Sequence, residues 1–145
     1  MSYVKIWVHL VFETKLREHS FSKEISLAIH EHIMSNCKKK EIFLQAINGS
    51  VEHVHSLISL GKDQSIAQVV QLIKGESSFW INQNHVLHNK FSWQDDYFAV
   101  SVSESHLENV VKYIKNQEEH HRIKSFSEEV DEFISKYGFK LIKDE

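Results

Sequence analysis

The chain has 145 residues, 41% of them apolar and 26% charged, which suits one domain around one core. No apolar run approaches the ~20 residues of a membrane-spanning helix; Met1-Ser2-Tyr3-Val4-Lys5 lacks a signal-peptide layout, and the single Cys37 cannot close an internal disulfide, so a cytoplasmic protein is expected. The net charge of -3 argues mildly against a nucleic-acid partner, whose phosphates favour a basic surface. In chain order, residues 3–13 alternate and are rich in β-branched and aromatic types, which predicts a strand covered on both faces. Residues 22–37 place Ile25, Ile29 and Ile33 four apart, the mark of a helix with one apolar face. Residues 41–48 and 51–60 read as two strands, with Asn48-Gly49-Ser50 as a hairpin signal because Asn and Gly accept positive φ. Ser65-Ile66-Ala67-Gln68 matches a capping box, and Ile66, Val69, Val70, Ile73 and Trp80 follow on one helical face.

Residues 97–102 read as a fourth strand. Ser105-His106-Leu107-Glu108 is a second box opening a helix to about residue 121. Ser125-Phe126-Ser127-Glu128 is a third, opening a helix over about 126–137 that Gly138 would end, before a short charged tail at 139–145. The order β-α-β-β-α-β-α-α predicts one domain over 1–145. It would be a ferredoxin-like, RRM-like α+β sandwich, with a four-stranded antiparallel sheet and helices packed on one face. That architecture hosts many functions and selects none.

Two groups carry possible chemistry. His53 and His55 are two apart on a predicted strand and share a face, while Val54 points the other way. Paired imidazoles on a rigid strand suit a divalent metal if a third donor comes from elsewhere; otherwise they are two half-exposed sheet histidines. Tyr113 and Gln117 are four apart on a predicted helix, beside the apolar stripe of Leu107, Val110, Val111 and Ile114. Tyr113 is then either a boundary tyrosine with its ring on the core or a nucleophile. A phenol, with a pKa of ~10, is a poor nucleophile at neutral pH. Metal polarisation of a phosphate would let it displace a DNA hydroxyl, and the Gln117 amide oxygen could complete the metal shell.

His53-Val54-His55-Ser56-Leu57-Ile58-Ser59 and the later Tyr113-Ile114-Lys115-Asn116-Gln117 resemble the one-tyrosine HUH transposases. These are the small transposases of IS two-hundred/six-oh-five type insertion sequences, with their REP-associated and domesticated relatives. Val8-His9-Leu10-Val11-Phe12, Thr14-Lys15-Leu16-Arg17, Gln71-Leu72-Ile73-Lys74-Gly75, Ser92-Trp93-Gln94 and Ser101-Val102-Ser103-Glu104-Ser105 also match, so the resemblance runs from about Tyr3 to about Phe139. It implies an HUH endonuclease fold and cleavage and rejoining of single-stranded DNA at hairpin-marked ends of a mobile element. Tyr113 would form a covalent phosphotyrosine, and His53, His55 and Gln117 would hold Mg²⁺ or Mn²⁺. It also implies a homodimer pairing sheets edge to edge, with active sites that can be composite, at work on the nucleoid.

Two departures stand out: Glu52 where Asp often precedes the first histidine, and Asp95-Asp96 where a glycine is common before the tyrosine, here Tyr97. Lys15, Arg17, Lys112 and Lys115 are the expected phosphate contacts. Trp93, in a loop-like stretch, is the expected base-stacking residue, whereas Trp7 and Trp80 read as core. His9 on the first strand either approaches the metal site or has a structural or DNA-backbone role. The rival readings are a non-transposing DNA-hairpin binder of the same fold and a metal-binding module acting on a small molecule.

Overall fold

Alternation along the first strand divides its side chains between two apolar layers, and this sets the architecture. The computed structural model describes residues 1–18, 20–116 and 128. Its elements are β1 (Ile6–Thr14), α1 (Lys23–Lys39), β2 (Phe43–Gly49), β3 (His53–Leu60), α2 (Ile66–Gln83), β4 (Trp93–Val102) and α3 (Leu107–Lys115). Single 3-10 turns lie at Lys15–Arg17 and Glu104–His106. The four strands form one sheet in the order β2-β3-β1-β4, with every pairing antiparallel. The expected α+β class and four-stranded antiparallel sheet are therefore present.

On one face, Val8, Leu10 and Phe12 of β1 and Val54 and Ile58 of β3 pack with Ile29 and Ile33 of α1 and Val69, Val70, Ile73 and Ile81 of α2. The opposite face carries a smaller cluster of Trp7, Ala46 and Leu57 closed by Ile114 of α3, with Leu107, Val110 and Val111 packed against it. The stripe on α3 is thus buried as its period requires, but on the other side of the sheet. The expectation of helices on one face holds for α1 and α2 and is corrected for α3. An apolar stripe needs an apolar partner surface, and Trp7, Ala46 and Leu57 supply one beyond the reach of α1 and α2.

The Ser65 capping box forms in both directions, with Gln68 N–H donating to Ser65 Oγ at 3.2 Å and Ser65 N–H donating to Gln68 Oε1 at 3.1 Å. The box expected at Ser105 does not form. The 3-10 turn moves the start of α3 to Leu107, so His106 is its N-cap and Ser105 sits one residue too early. β4 begins at Trp93, four residues before the expected strand, because Lys74 Nζ donates to the carbonyls of Gln94, Asp95 and Asp96 and fixes this stretch against α2. Asp95 and Asp96 are therefore strand residues, not a turn.

The β2–β3 hairpin turns where expected, but not by positive φ. Among the described residues, the non-glycine residues with positive φ are Leu16, Arg17, Glu41 and His85, and Gly49 does not adopt it either. Glycine is required for close approach instead: a Cβ on Gly49 would stand 2.1 Å from the His53 carbonyl oxygen. The helix expected to about 121 is described as far as its C-cap, Asn116. Gln117, the predicted helix over about 126–137 (apart from Glu128), Gly138 and the tail lie outside the described residues. Among the described residues, no helix is long and apolar enough to cross a membrane.

Candidate active site

The α3 face of the sheet holds a buried polar group among apolar neighbours. His53 and His55 project from β3 and His9 from β1, and all three are at most 2% exposed. The antiparallel register sets Val11 opposite His55 and Glu13 opposite His53, bringing His9 diagonally to His55. His9 Nε2 and His55 Nδ1 are 2.9 Å apart in a hydrogen bond. His53 Nδ1 lies 3.2 Å from Oε1 of the buried Glu52. The two strand histidines stand edge to face, with ring centroids 4.9 Å apart. Burying these polar rings is tolerable only with such partners.

Tyr113 comes down from α3 onto this group. Its ring centroid is 5.6 Å from that of His55 and 6.0 Å from that of His9, both edge to face. The tyrosine therefore faces the histidines of its own chain. Two ties hold α3 in place beyond its apolar stripe. At its start, Glu104 accepts from Lys5 Nζ at 3.0 Å and from Trp7 Nε1 at 2.8 Å, and these bonds hold its carboxyl below the usual range. At its end, Asn48 Nδ2 donates to the Lys115 carbonyl at 3.0 Å. One end of α3 is thus tied to β1 and the other to β2.

Of the residues singled out in the sequence, the fold gathers His53, His55 and Tyr113. Lys112 and Lys115 are exposed on α3, on either side of Tyr113. Lys15 and Arg17 are exposed on the turn after β1, where Leu16 and Arg17 take positive φ. Arg17 Nε pairs with Glu13 Oε2 at 3.1 Å, next to His53 in the register. Trp93 is not available to stack on DNA. It is 5% exposed, packed edge-on among Phe12, Phe21 and Phe91, and its Nε1 donates to Ser77 Oγ at 2.9 Å. The tryptophan opens a strand whose inward side joins the main core, so its apparent loop setting misled.

Gln117 lies outside the described residues. Among the described residues, no cluster of three or more His, Cys, Asp or Glu side chains is placed to hold a metal. His53 and His55 are chemically suited to a divalent ion, and a third donor has to come from beyond that cluster. Sequence reasoning missed Asn48 and Glu104 as ties of α3, because both join residues far apart in the chain. It left the role of His9 open for the same reason.

The model of the family described as "Transposase IS200 like" matches residues 2–117. The chain belongs to the IS200-like transposase family. Two solved structures share the transposase fold. A candidate transposase from Deinococcus radiodurans R1 is 24% identical, with 81% of this chain and 95% of that chain covered and a TM-score of 0.62. A REP-associated tyrosine transposase bound to a REP hairpin is 15% identical, with 83% of this chain and 72% of that chain covered and the same TM-score of 0.62. No curated protein matches the chain.

Proposed function

We propose that this transposase cleaves and rejoins single-stranded DNA at hairpin-marked ends of a mobile element, with Tyr113 as nucleophile. The observation that carries the reading is the Tyr113 ring over His55, 5.6 Å between centroids, with His53 alongside. Family membership supports the transposase role. The hairpin-bound relative supports hairpin DNA as the substrate.

In the proposed step the Tyr113 hydroxyl oxygen attacks a backbone phosphorus. A P–O(tyrosine) bond forms as the bond to one sugar oxygen breaks. The phenol gives up its proton and the departing sugar hydroxyl gains one. Attack on the phosphotyrosine by another strand's hydroxyl reverses the step and reseals the DNA. His53 and His55, with Gln117 as third donor, would hold a divalent cation. Such an ion, when bound, polarises the phosphate oxygens and stabilises charge as phosphoryl transfer proceeds. Imidazole donors suit Mn²⁺ better than Mg²⁺, which prefers an all-oxygen shell. The apolar packing of α3 keeps the phenol beside the histidines, and Glu52 holds the His53 ring. Lys15, Arg17, Lys112 and Lys115 would contact phosphates, which suits a protein whose overall charge is negative but whose basic side chains are grouped. The expected homodimer would join at the sheet borders, β2 or β4, whose outer edges carry no strand in the described fold.

The test is covalent capture. Full-length protein is mixed with single-stranded hairpin oligonucleotides from the gene's flanks and Mn²⁺. A denaturation-resistant adduct should form and map to Tyr113. Tyr113→Phe should lower its yield by at least about 1000-fold, and chelation or His53→Ala should abolish it. Tight hairpin binding without an adduct would favour a non-transposing hairpin binder. An adduct on another residue would refute Tyr113 as nucleophile.

A further inference from the structure

His9 and His55 lie on different strands and meet through one buried bond, 2.9 Å between His9 Nε2 and His55 Nδ1. Two neutral imidazoles joined this way share a single hydrogen, so one ring donates and the other accepts. The bond engages both of these nitrogens, one through its hydrogen and the other through its lone pair, so neither serves a metal while it stands. His9 is therefore not a further ligand through Nε2, and no three-residue cluster of His, Cys, Asp or Glu among the described residues contradicts this. The same contact bars His55 from ligating through Nδ1. Ligation by His55 falls to Nε2, which needs its lone pair there and hence its hydrogen on Nδ1. That hydrogen meets His9 Nε2.

We propose that His9 is a positioning residue of the site, accepting the Nδ1–H of His55 and so fixing the tautomer and ring plane in which His55 Nε2 serves a metal. The inference rests on the proposed metal role of His53 and His55. Glu52 performs the matching task for His53, whose Nδ1 it meets at 3.2 Å. The pair is thus oriented by unlike acceptors, a carboxylate for one ring and an imidazole for the other. Partners of this kind fix ligand geometry, and losing one lowers metal affinity about 10- to 100-fold. His9 also borders the Tyr113 ring, 6.0 Å between centroids, so one side chain touches both halves of the site.

The test uses the full-length protein with ¹⁵N-labelled histidine in Mg²⁺ buffer. Long-range ¹H–¹⁵N correlations report which nitrogen of His55 carries hydrogen. The wild type should show it on Nδ1. His9→Leu should shift His55 towards the Nε2–H form, and His9→Gln, whose amide oxygen can accept, should restore it. Mn²⁺ titration should show a loss of about 10- to 100-fold in affinity for His9→Leu and a smaller one for His9→Gln. A wild-type His55 protonated on Nε2 would overturn the proposal, even if His9→Leu fails to fold. So would a tautomer or Mn²⁺ affinity indifferent to His9→Leu. A tautomer that follows His9 in a protein with no Mn²⁺ affinity would instead overturn the metal reading beneath it, leaving the pairing of the two rings established.

Discussion

The two faces of the sheet come from the same strands and differ in chemistry. Under α1 and α2, β1 and β3 present Val8, Leu10, Phe12, Val54 and Ile58, all buried. Under α3, intervening positions of the same strands present Trp7 and Leu57 towards one end and His9, His53 and His55 towards the other. The first face contributes most of the hydrophobic stabilisation, at roughly 25 cal/mol per Å² of apolar area buried. The second gives up apolar area for three buried rings, whose cost is reduced because Glu52 and their mutual contacts pair one nitrogen of each. Placing stability on one side leaves the other free to carry reactive groups without unfolding the domain.

The sharpest way to separate the faces is Trp93→Ala. Emptying that aromatic nest should cost about 3–5 kcal/mol in denaturant unfolding, as for other buried aromatics. The folded fraction should still bind hairpin oligonucleotides as the wild type does, and weakened binding by folded protein would return Trp93 to the DNA-contact set.

Next in size is a pH effect on the apolar side. Burial, and secondarily the charge of His53, lowers the pKa of His30 from 6.5 to about 4. The unfolded chain takes up this proton near pH 6.5, whereas the folded one resists until near pH 4. The contribution of His30 to stability is therefore complete above pH 6.5 and falls away as pH drops towards 4, by about 3 kcal/mol. Urea melts at pH 7 and 4.5 should show the drop in wild type and much less of it in His30→Gln; equal drops would assign the acid sensitivity elsewhere.

On the site face, Asn48→Ala removes the tie to the Lys115 carbonyl and should cost under about 1 kcal/mol of stability. Covalent adduct yield should fall well beyond that small loss, since α3 carries the phenol. Adduct yield that merely tracks stability would make the tie ornamental. Smallest of all, Lys112→Gln and Lys115→Gln should leave unfolding unchanged. Each should flatten the log–log salt dependence of single-strand binding by about 0.7 if it contacts a phosphate. Unchanged slopes would remove that lysine from the interface.

Much of the fold was legible because strand alternation and helix caps are local signals. The Ser65 box and the stripe on α3 needed only a few neighbouring residues. The side of the sheet that α3 would take was not legible, since a stripe announces that it will be buried but not against what. The start of β4 was missed because Gln94-Asp95-Asp96 are poor strand formers, held extended by Lys74 from a different element. In the site, the shared face of His53 and His55 follows from spacing alone. The contact of His9 with His55 depends on the β1–β3 register, which no periodicity encodes. Nor does any motif mark Glu104 or Asn48, whose partners lie 97 and 67 residues away.

Gly49 and Gly75 should behave as opposites in a saturation mutagenesis screen. Any of the nineteen replacements at Gly49 brings a Cβ against the His53 carbonyl, the backbone of a candidate ligand, so substitution there should be uniformly poorly tolerated. Around Gly75 nothing lies within 4 Å of such a Cβ, and alanine should be accepted, even favoured, in the middle of α2. The mutational tolerance of these two positions would thus map, without any DNA present, how closely the hairpin backbone constrains the histidine strand.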